Sequence, residues 1–271
     1  MTSTFEYLAP GSRDELLGVL ADRGPAAKLL AGGTDLLVDV RNDLLHPECV
    51  VNLKQVPGYS EISWSEEDGL RMGAAVTIND VLRSQIILDS YPLLVDCARD
   101  LASYQIRNRA TVVGNVVNAS PCSDMAPALL CLGASAVISS RRAGRVVPFT
   151  DFFRGVKRTV LEPDEILETI VVPPESADGR GGYRKLKRIK GHDLGIVGVA
   201  LFKKNGVLRL GISSCAPTPI LVNGLPSDAP ADDVVAATGR AVSPISDLRC
   251  SKEYREHMVA VFTRRLLQEV K

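Results

Sequence analysis

The chain has little with which to hold a metal. Its 271 residues include three histidines and six cysteines. His46, His192 and His257 lie far apart, and no H-E-x-x-H occurs. Cys49, Cys97, Cys122, Cys131, Cys215 and Cys250 include no C-x-x-C pair and none of the close spacing of a zinc or iron–sulfur site. They read as small buried apolar side chains, so any redox chemistry has to come from a bound cofactor. An excess of one charge is missing too: 32 Lys and Arg balance 32 Asp and Glu, which argues against a nucleic-acid binder working through a broad basic face. No apolar run approaches the ~18 residues of a membrane-spanning helix. Residues 1–6 show neither the basic nor the apolar stretch of a secretory leader, so a cytoplasmic setting is expected. A G-x-G-x-x-G after a strand and a G-x-x-x-x-G-K-[ST] are both absent, which removes the Rossmann and P-loop readings.

What is there is the composition of a globular protein, 45% hydrophobic and 24% charged, at a length that suits two domains. Ser12 and Glu15 have capping-box spacing ahead of a helical stripe of Leu16, Leu17, Val19 and Leu20. Strands are expected at 28–31, 50–53, 112–117, 134–139 and 168–172, with a hairpin around Asp68 and Gly69. Helices are expected after Thr77, over 91–103 and over 125–132, the last stopped by Gly133. This mixed order fits an α+β fold better than a regular βαβ repeat. Residues 173–182 are rich in Pro, Gly, Ser and charge and read as a linker or exposed loop. Beyond them, 183–188, 196–203 and 207–213 read as three antiparallel strands, with Asn205-Gly206 as a hairpin turn. Tyr254, Met258, Phe262, Leu266 and Val270 recur four apart on a closing amphipathic helix. A second domain is therefore expected from near residue 178.

Two segments have the make-up of anion cradles. In Leu30-Ala31-Gly32-Gly33-Thr34-Asp35-Leu36-Leu37 a strand runs into two glycines and a hydroxyl residue before a helix. Glycines let the backbone approach a diphosphate with no Cβ in the way, and the N–H groups that follow can point at its oxygens. Arg107-Asn108-Arg109-Ala110-Thr111-Val112-Val113-Gly114-Asn115 combines cations with Thr, Gly and Asn. Taken alone, each segment also reads as ordinary turn geometry.

Further motifs follow in order: Asn118-Ala119-Ser120-Pro121-Cys122-Ser123-Asp124, Phe152-Phe153-Arg154-Gly155, Leu161-Glu162-Pro163-Asp164-Glu165-Ile166-Leu167, and Tyr183-Arg184-Lys185-Leu186-Lys187-Arg188 leading to Asp193. With the two cradles, they closely resemble the FAD-binding medium subunit of the molybdenum hydroxylases, the xanthine dehydrogenase and carbon monoxide dehydrogenase family. The resemblance covers nearly the whole chain. It implies an FAD domain of the vanillyl-alcohol-oxidase (PCMH) type over 1–175, made of two α+β subdomains dividing near residue 55. A small C-terminal domain of three antiparallel strands and helices would occupy 178–271.

It also implies FAD held without a covalent bond. Leu29, Leu30, Ala31, Gly32, Gly33, Thr34, Asp35 and Leu36 would wrap the diphosphate with backbone N–H groups, and Thr111, Val112, Val113, Gly114 and Asn115 would form the second wall. Asp124 would accept hydrogen bonds from the polyol or adenosine part. Leu167 would sit against the flavin, and Lys187 near the ring's polar edge, where a cation can stabilise negative charge. From the residues alone, Asp124 reads equally as a helix N-cap and Lys187 as a strand lysine, whereas Leu167 reads first as core. The family usually has two glycines in its second loop, and Val113 stands in place of the first. A β-branched side chain there resists positive φ and is expected to cost FAD affinity about 1–3 kcal/mol. Some relatives insert a four-cysteine loop for an extra iron–sulfur cluster. Cys122 and Cys131 have no such insertion between them, so no cluster is expected on this chain.

The implied function is that of an FAD-carrying electron-transfer subunit. A molybdopterin centre on a large subunit would oxidise the substrate, and [2Fe-2S] clusters on a small subunit would relay electrons. The flavin would pass them to an external acceptor such as NAD, a quinone or a small redox protein. No side chain of this chain need act as acid or base, so no catalytic residue is expected. Two other readings stand beside it. One is a scaffold or assembly subunit of the same fold with weakened or lost FAD binding, with Val113 as its motive. The other is a stand-alone flavin oxidoreductase, which the small C-terminal domain disfavours because too little chain remains to roof a substrate pocket.

Overall fold

The computed structural model describes residues 4–189 and 191–270, so the first three residues of the leader argument lie outside it. Three small strands open the fold. β1 (Glu6–Leu8) and β2 (Ala27–Leu30) both run parallel to β3 (Cys49–Asn52) between them. α1 (Arg13–Arg23) crosses from β1 to β2, and α2 (Leu36–Arg41) precedes β3. α1 starts where its sequence says it should: the Glu15 N–H donates to Ser12 Oγ at 3.2 Å, and Leu16, Leu17 and Leu20 are buried.

The next unit begins with the expected hairpin, β4 (Ile62–Ser65) and β5 (Gly69–Gly73). A run of short helices follows: α3 (Ile78–Arg83), α4 (Gln85–Ser90), α5 (Pro92–Asp100), α6 (Tyr104–Arg107), α7 (Val112–Val117) and α8 (Ala126–Cys131). Then come β6 (Ser135–Ser139), β7 (Gly144–Pro148), α9 (Phe149–Phe152), a small hairpin of β8 (Phe153–Gly155) and β9 (Arg158–Thr159), and β10 (Ile166–Val172). β10 returns to the centre, giving an antiparallel sheet ordered β4-β5-β10-β6-β7.

The last unit is an antiparallel meander, β11 (Arg180–Leu186), β12 (Val197–Lys204), β13 (Val207–Ser213) and β14 (Ile220–Pro226), followed by α10 (Ala231–Ala241) and α11 (Lys252–Glu269). Both faces of this sheet are covered. Gly181 and Gly211 lie against Leu93 of α5 and Pro127 of α8, whereas Gly182 lies against Leu266 of α11. The sheet thus closes its own small core with α11 and shares its other face with helices of the preceding unit. No helix among the described residues is long and apolar enough to cross a membrane.

Three expectations need correction. The segment Val112–Val117 is a helix, not a strand. Its β-branched run suggests β-structure, yet Thr111 Oγ1 accepts the Gly114 N–H at 2.9 Å and caps a turn whose Val112, Val113 and Val116 are all buried. The C-terminal sheet has four strands, not three. β14 contains Asn223 and Gly224, the latter at φ +76°, and its pairing with β13 is irregular between Leu208 and Leu210; such a bulged edge strand carries no clear alternation. Finally, the Pro- and Gly-rich stretch 173–182 is no free linker. Ser176 and Ala177 are buried, Ser176 Oγ donates to the Leu132 carbonyl at 2.7 Å, the Asp178 N–H donates to the Ser90 carbonyl at 2.8 Å, and β11 already begins at Arg180.

Candidate functional site

The first glycine segment forms a tight passage from β2 into α2. Gly33 has φ +74°, a left-handed conformation that favours glycine. Gly32 is constrained from outside. A Cβ built on it would stand 2.1 Å from the Arg109 carbonyl oxygen and 2.9 Å from Ala110 Cα. The two segments singled out in the sequence are therefore in backbone contact, and only glycine permits it. Among the described residues, no protein acceptor meets the backbone N–H of Gly32, Gly33, Thr34, Asp35 or Leu36. The first amide to find one is Leu37, which donates to the Gly33 carbonyl at 3.1 Å. A row of half-exposed amide donors without acceptors is what an anion with several oxygens can use.

The second segment is pinned from behind. The Ile78 N–H donates to the Ala110 carbonyl (2.9 Å), and the Val112 N–H donates to the Val76 carbonyl (3.1 Å). Thr111 is the cap of α7, and its side chain is thereby spent on Gly114. Val113 lies inside α7 with 4% of its surface exposed and does not have positive φ. The expected cost of a β-branched residue at this position thus has no basis: the backbone asks for no left-handed conformation, and the side chain faces the core. Asn115 ties α7 to the following loop, its Oδ1 accepting from Ser123 Oγ at 2.7 Å and from the Met125 N–H at 3.2 Å.

That loop delivers Asp124 to a buried ion pair. Lys185 Nζ of β11 lies 2.8 Å from its Oδ1, with the Lys185 side chain 1% exposed, and Tyr183 Oη donates to the same carboxylate at 3.2 Å. Burial raises the Asp124 carboxyl above its ordinary value, and the Lys185 ammonium opposes that rise. Asp124 does not cap α8; the Ala126 N–H donates to Ser123 Oγ instead. Lys187 pairs with Asp100 at the end of α5, 3.0 Å from its Oδ1, and Lys185 also donates to the Asp100 backbone carbonyl. Leu167 lies in β10, beside a bulge, with 1% of its surface exposed.

Contacts thus link the two loops to each other through Gly32, and Asn115, by way of the Ser123 loop, to the Asp124–Lys185–Asp100–Lys187 chain, whereas Leu167 is enclosed in the core. Sequence reading did not find Lys54. Its Nζ donates to the Ala31 carbonyl at 2.8 Å, and among the described residues no carboxylate pairs with it. No motif marks it; only the parallel pairing of Leu30 with Asn52 brings the turn after β3 beside the first loop.

Residues 3–175 match the family described as the FAD binding domain in molybdopterin dehydrogenase, and residues 181–270 match the CO dehydrogenase flavoprotein C-terminal domain. The chain is 31% identical to the carbon monoxide dehydrogenase medium chain of Hydrogenophaga pseudoflava, covering 97% of this chain and 96% of that one. It is 32% identical to the xanthine dehydrogenase FAD-binding subunit of Escherichia coli O157:H7, covering 94% and 92%. Among solved structures it is similar to a chain of reconstituted CO dehydrogenase from Oligotropha carboxidovorans, with a TM-score of 0.92 at 28% identity over 100% of this chain and 98% of that one. It is also similar to a chain of quinoline 2-oxidoreductase from Pseudomonas putida 86, with a TM-score of 0.89 at 27% identity. The chain belongs to the family of FAD-binding medium subunits of molybdopterin hydroxylases, of the CO dehydrogenase and xanthine dehydrogenase type.

Proposed function

We propose that this chain holds one FAD, without a covalent bond, across the two glycine-containing loops of a multi-subunit molybdenum hydroxylase. The observation that carries the reading is the row of acceptor-free amides from Gly32 to Leu36, set against the second loop by a glycine that tolerates no Cβ. Bound FAD supplies the electron-carrying chemistry, taking electrons from [2Fe-2S] clusters of a small subunit and passing them to an external acceptor such as NAD or a quinone. The chain's own residues bind and orient. Amides of residues 32–36 and of Val113 offer hydrogen bonds to the diphosphate, and Lys54 and Arg109 supply positive charge close by. Lys187, held by Asp100, is a cation available to the ring's polar edge, and the buried Asp124–Lys185 pair ties the loop before α8 to β11. No side chain is assigned a proton-transfer role.

The large partner would carry the molybdopterin and select the substrate. A cytoplasmic setting fits six cysteines that are all free thiols. The residue that motivates a scaffold without FAD, Val113, sits in the core in ordinary helical conformation, so nothing at that position speaks against the cofactor. Co-expression with its molybdopterin-binding and iron–sulfur partners tests the reading. The complex should purify with all three chains, and acid precipitation should release its yellow colour into the supernatant. Colour retained on the precipitated chain would contradict the non-covalent site.

A further inference from the structure

The first glycine loop is held by a residue that no motif marks. β2 ends at Leu30 beside Asn52 of β3, and the turn Leu53–Gln55 that follows carries Lys54 up to the start of the loop. There Lys54 Nζ donates to the Ala31 carbonyl at 2.8 Å and lies 3.5 Å from the Leu30 carbonyl. Across a trans peptide, the C=O of one residue and the N–H of the next point in opposite directions. An ammonium drawn to the Ala31 oxygen therefore turns the Gly32 N–H away from itself, and among the described residues nothing accepts that N–H. The charge also stands at the negative end of the Ala31–Gly32 peptide dipole, which favours this orientation over the flipped one.

We propose that Lys54 is a positioning residue for the diphosphate. It fixes the Ala31–Gly32 peptide so that the Gly32 amide is presented to an anionic oxygen, while Lys54 itself stays on the far side of the peptide. The inference rests on the FAD reading above. Two further observations fit it. Lys54 is an exposed lysine that spends its ammonium on backbone carbonyls. Partial desolvation of the ammonium and then the nearby Arg109 charge lower its proton affinity below that of an ordinary lysine, and among the described residues no carboxylate pairs with it.

The test uses the full chain freed of flavin, with Lys54→Met and Lys54→Arg, titrated with FAD by fluorescence quenching and checked for folding by thermal melting. The wild type should bind. Lys54→Met should bind at least five-fold more weakly, and Lys54→Arg, which retains a cationic donor, should bind more tightly than Lys54→Met. A folded Lys54→Met within five-fold of wild type would overturn the inference while leaving the FAD reading intact. So would an arginine variant no tighter than the methionine one, since bulk and not charge would then be what matters. Should the methionine variant fail to fold, the uncharged Lys54→Gln is held to the same five-fold threshold. A folded wild type that does not bind FAD overturns the FAD reading, and the inference with it.

Discussion

Gly32 and Gly33 look interchangeable in the sequence and do different work in the fold. Gly33 supplies a left-handed turn, and the side chains a Cβ would meet there, Leu30 and Leu37, can move. Gly32 allows two backbones to touch, and a carbonyl cannot move aside so cheaply. Gly32→Ala should therefore force the two loops apart and weaken FAD binding by at least ten-fold, read by fluorescence quenching, with the far-ultraviolet circular dichroism unchanged. Val113 shows the opposite case, a buried residue of α7 without positive φ, where the backbone makes no demand for glycine. Replacing it by glycine puts the poorest helix former after proline into α7 and strips a buried side chain from the core. Val113→Gly should lose about 2–4 kcal/mol of stability in urea denaturation and gain no FAD affinity.

At the scale of elements, α1 and β10 are joined by a polar clamp. Glu168 accepts from Arg13 Nε at 2.7 Å, from Ser139 Oγ at 2.5 Å and from Tyr59 Oη at 3.4 Å. Burial alone would raise its carboxyl, but the hydrogen bonds from Arg13 and Ser139 and the Arg13 charge outweigh it and hold the group below its ordinary value of 4.5. A lowered folded value means that the stabilisation is fully present above about pH 4.5 and is lost as the pH falls through that lower value. The stability gap between wild type and Glu168→Gln, measured by urea denaturation, should narrow from pH 6 towards pH 3; a gap independent of pH would refute this. The same scale shows what the sequence could and could not tell. Caps at Ser12 and Thr77, the Asp68-Gly69 hairpin and the Asn205-Gly206 turn are local chemistry, and they sit where the residues place them. α7 was unreadable because its valines are as suited to a strand, and one threonine cap with burial on both sides decides the matter. β14 was unreadable because an edge strand interrupted by Gly224 has no periodicity. Both glycine loops were legible as composition, and their contact through Gly32 was not, since long-range packing leaves no mark in either segment.

For the whole molecule, the joint between the domains is largely apolar, with α5 and α8 packed on the C-terminal sheet, and one buried ion pair is set into it. Lys185 is buried against Asp124, which Asn115 and Ser123 hold in place from the first domain. Removing one member of a buried pair leaves the other charge uncompensated, so Lys185→Met should cost about 3–5 kcal/mol, and adding Asp124→Asn should restore part of it. Differential scanning calorimetry of the two variants, without flavin, would show it; a single mutant as stable as wild type would mean the pair does not hold the domains. The central claim, that the chain itself carries the flavin, reduces to one titration. Flavin-free wild-type protein, folded by circular dichroism, is titrated with FAD while the cofactor's fluorescence is followed. The account predicts quenching that saturates at one FAD per chain. A folded chain that leaves FAD fluorescence unchanged at every ratio would contradict it.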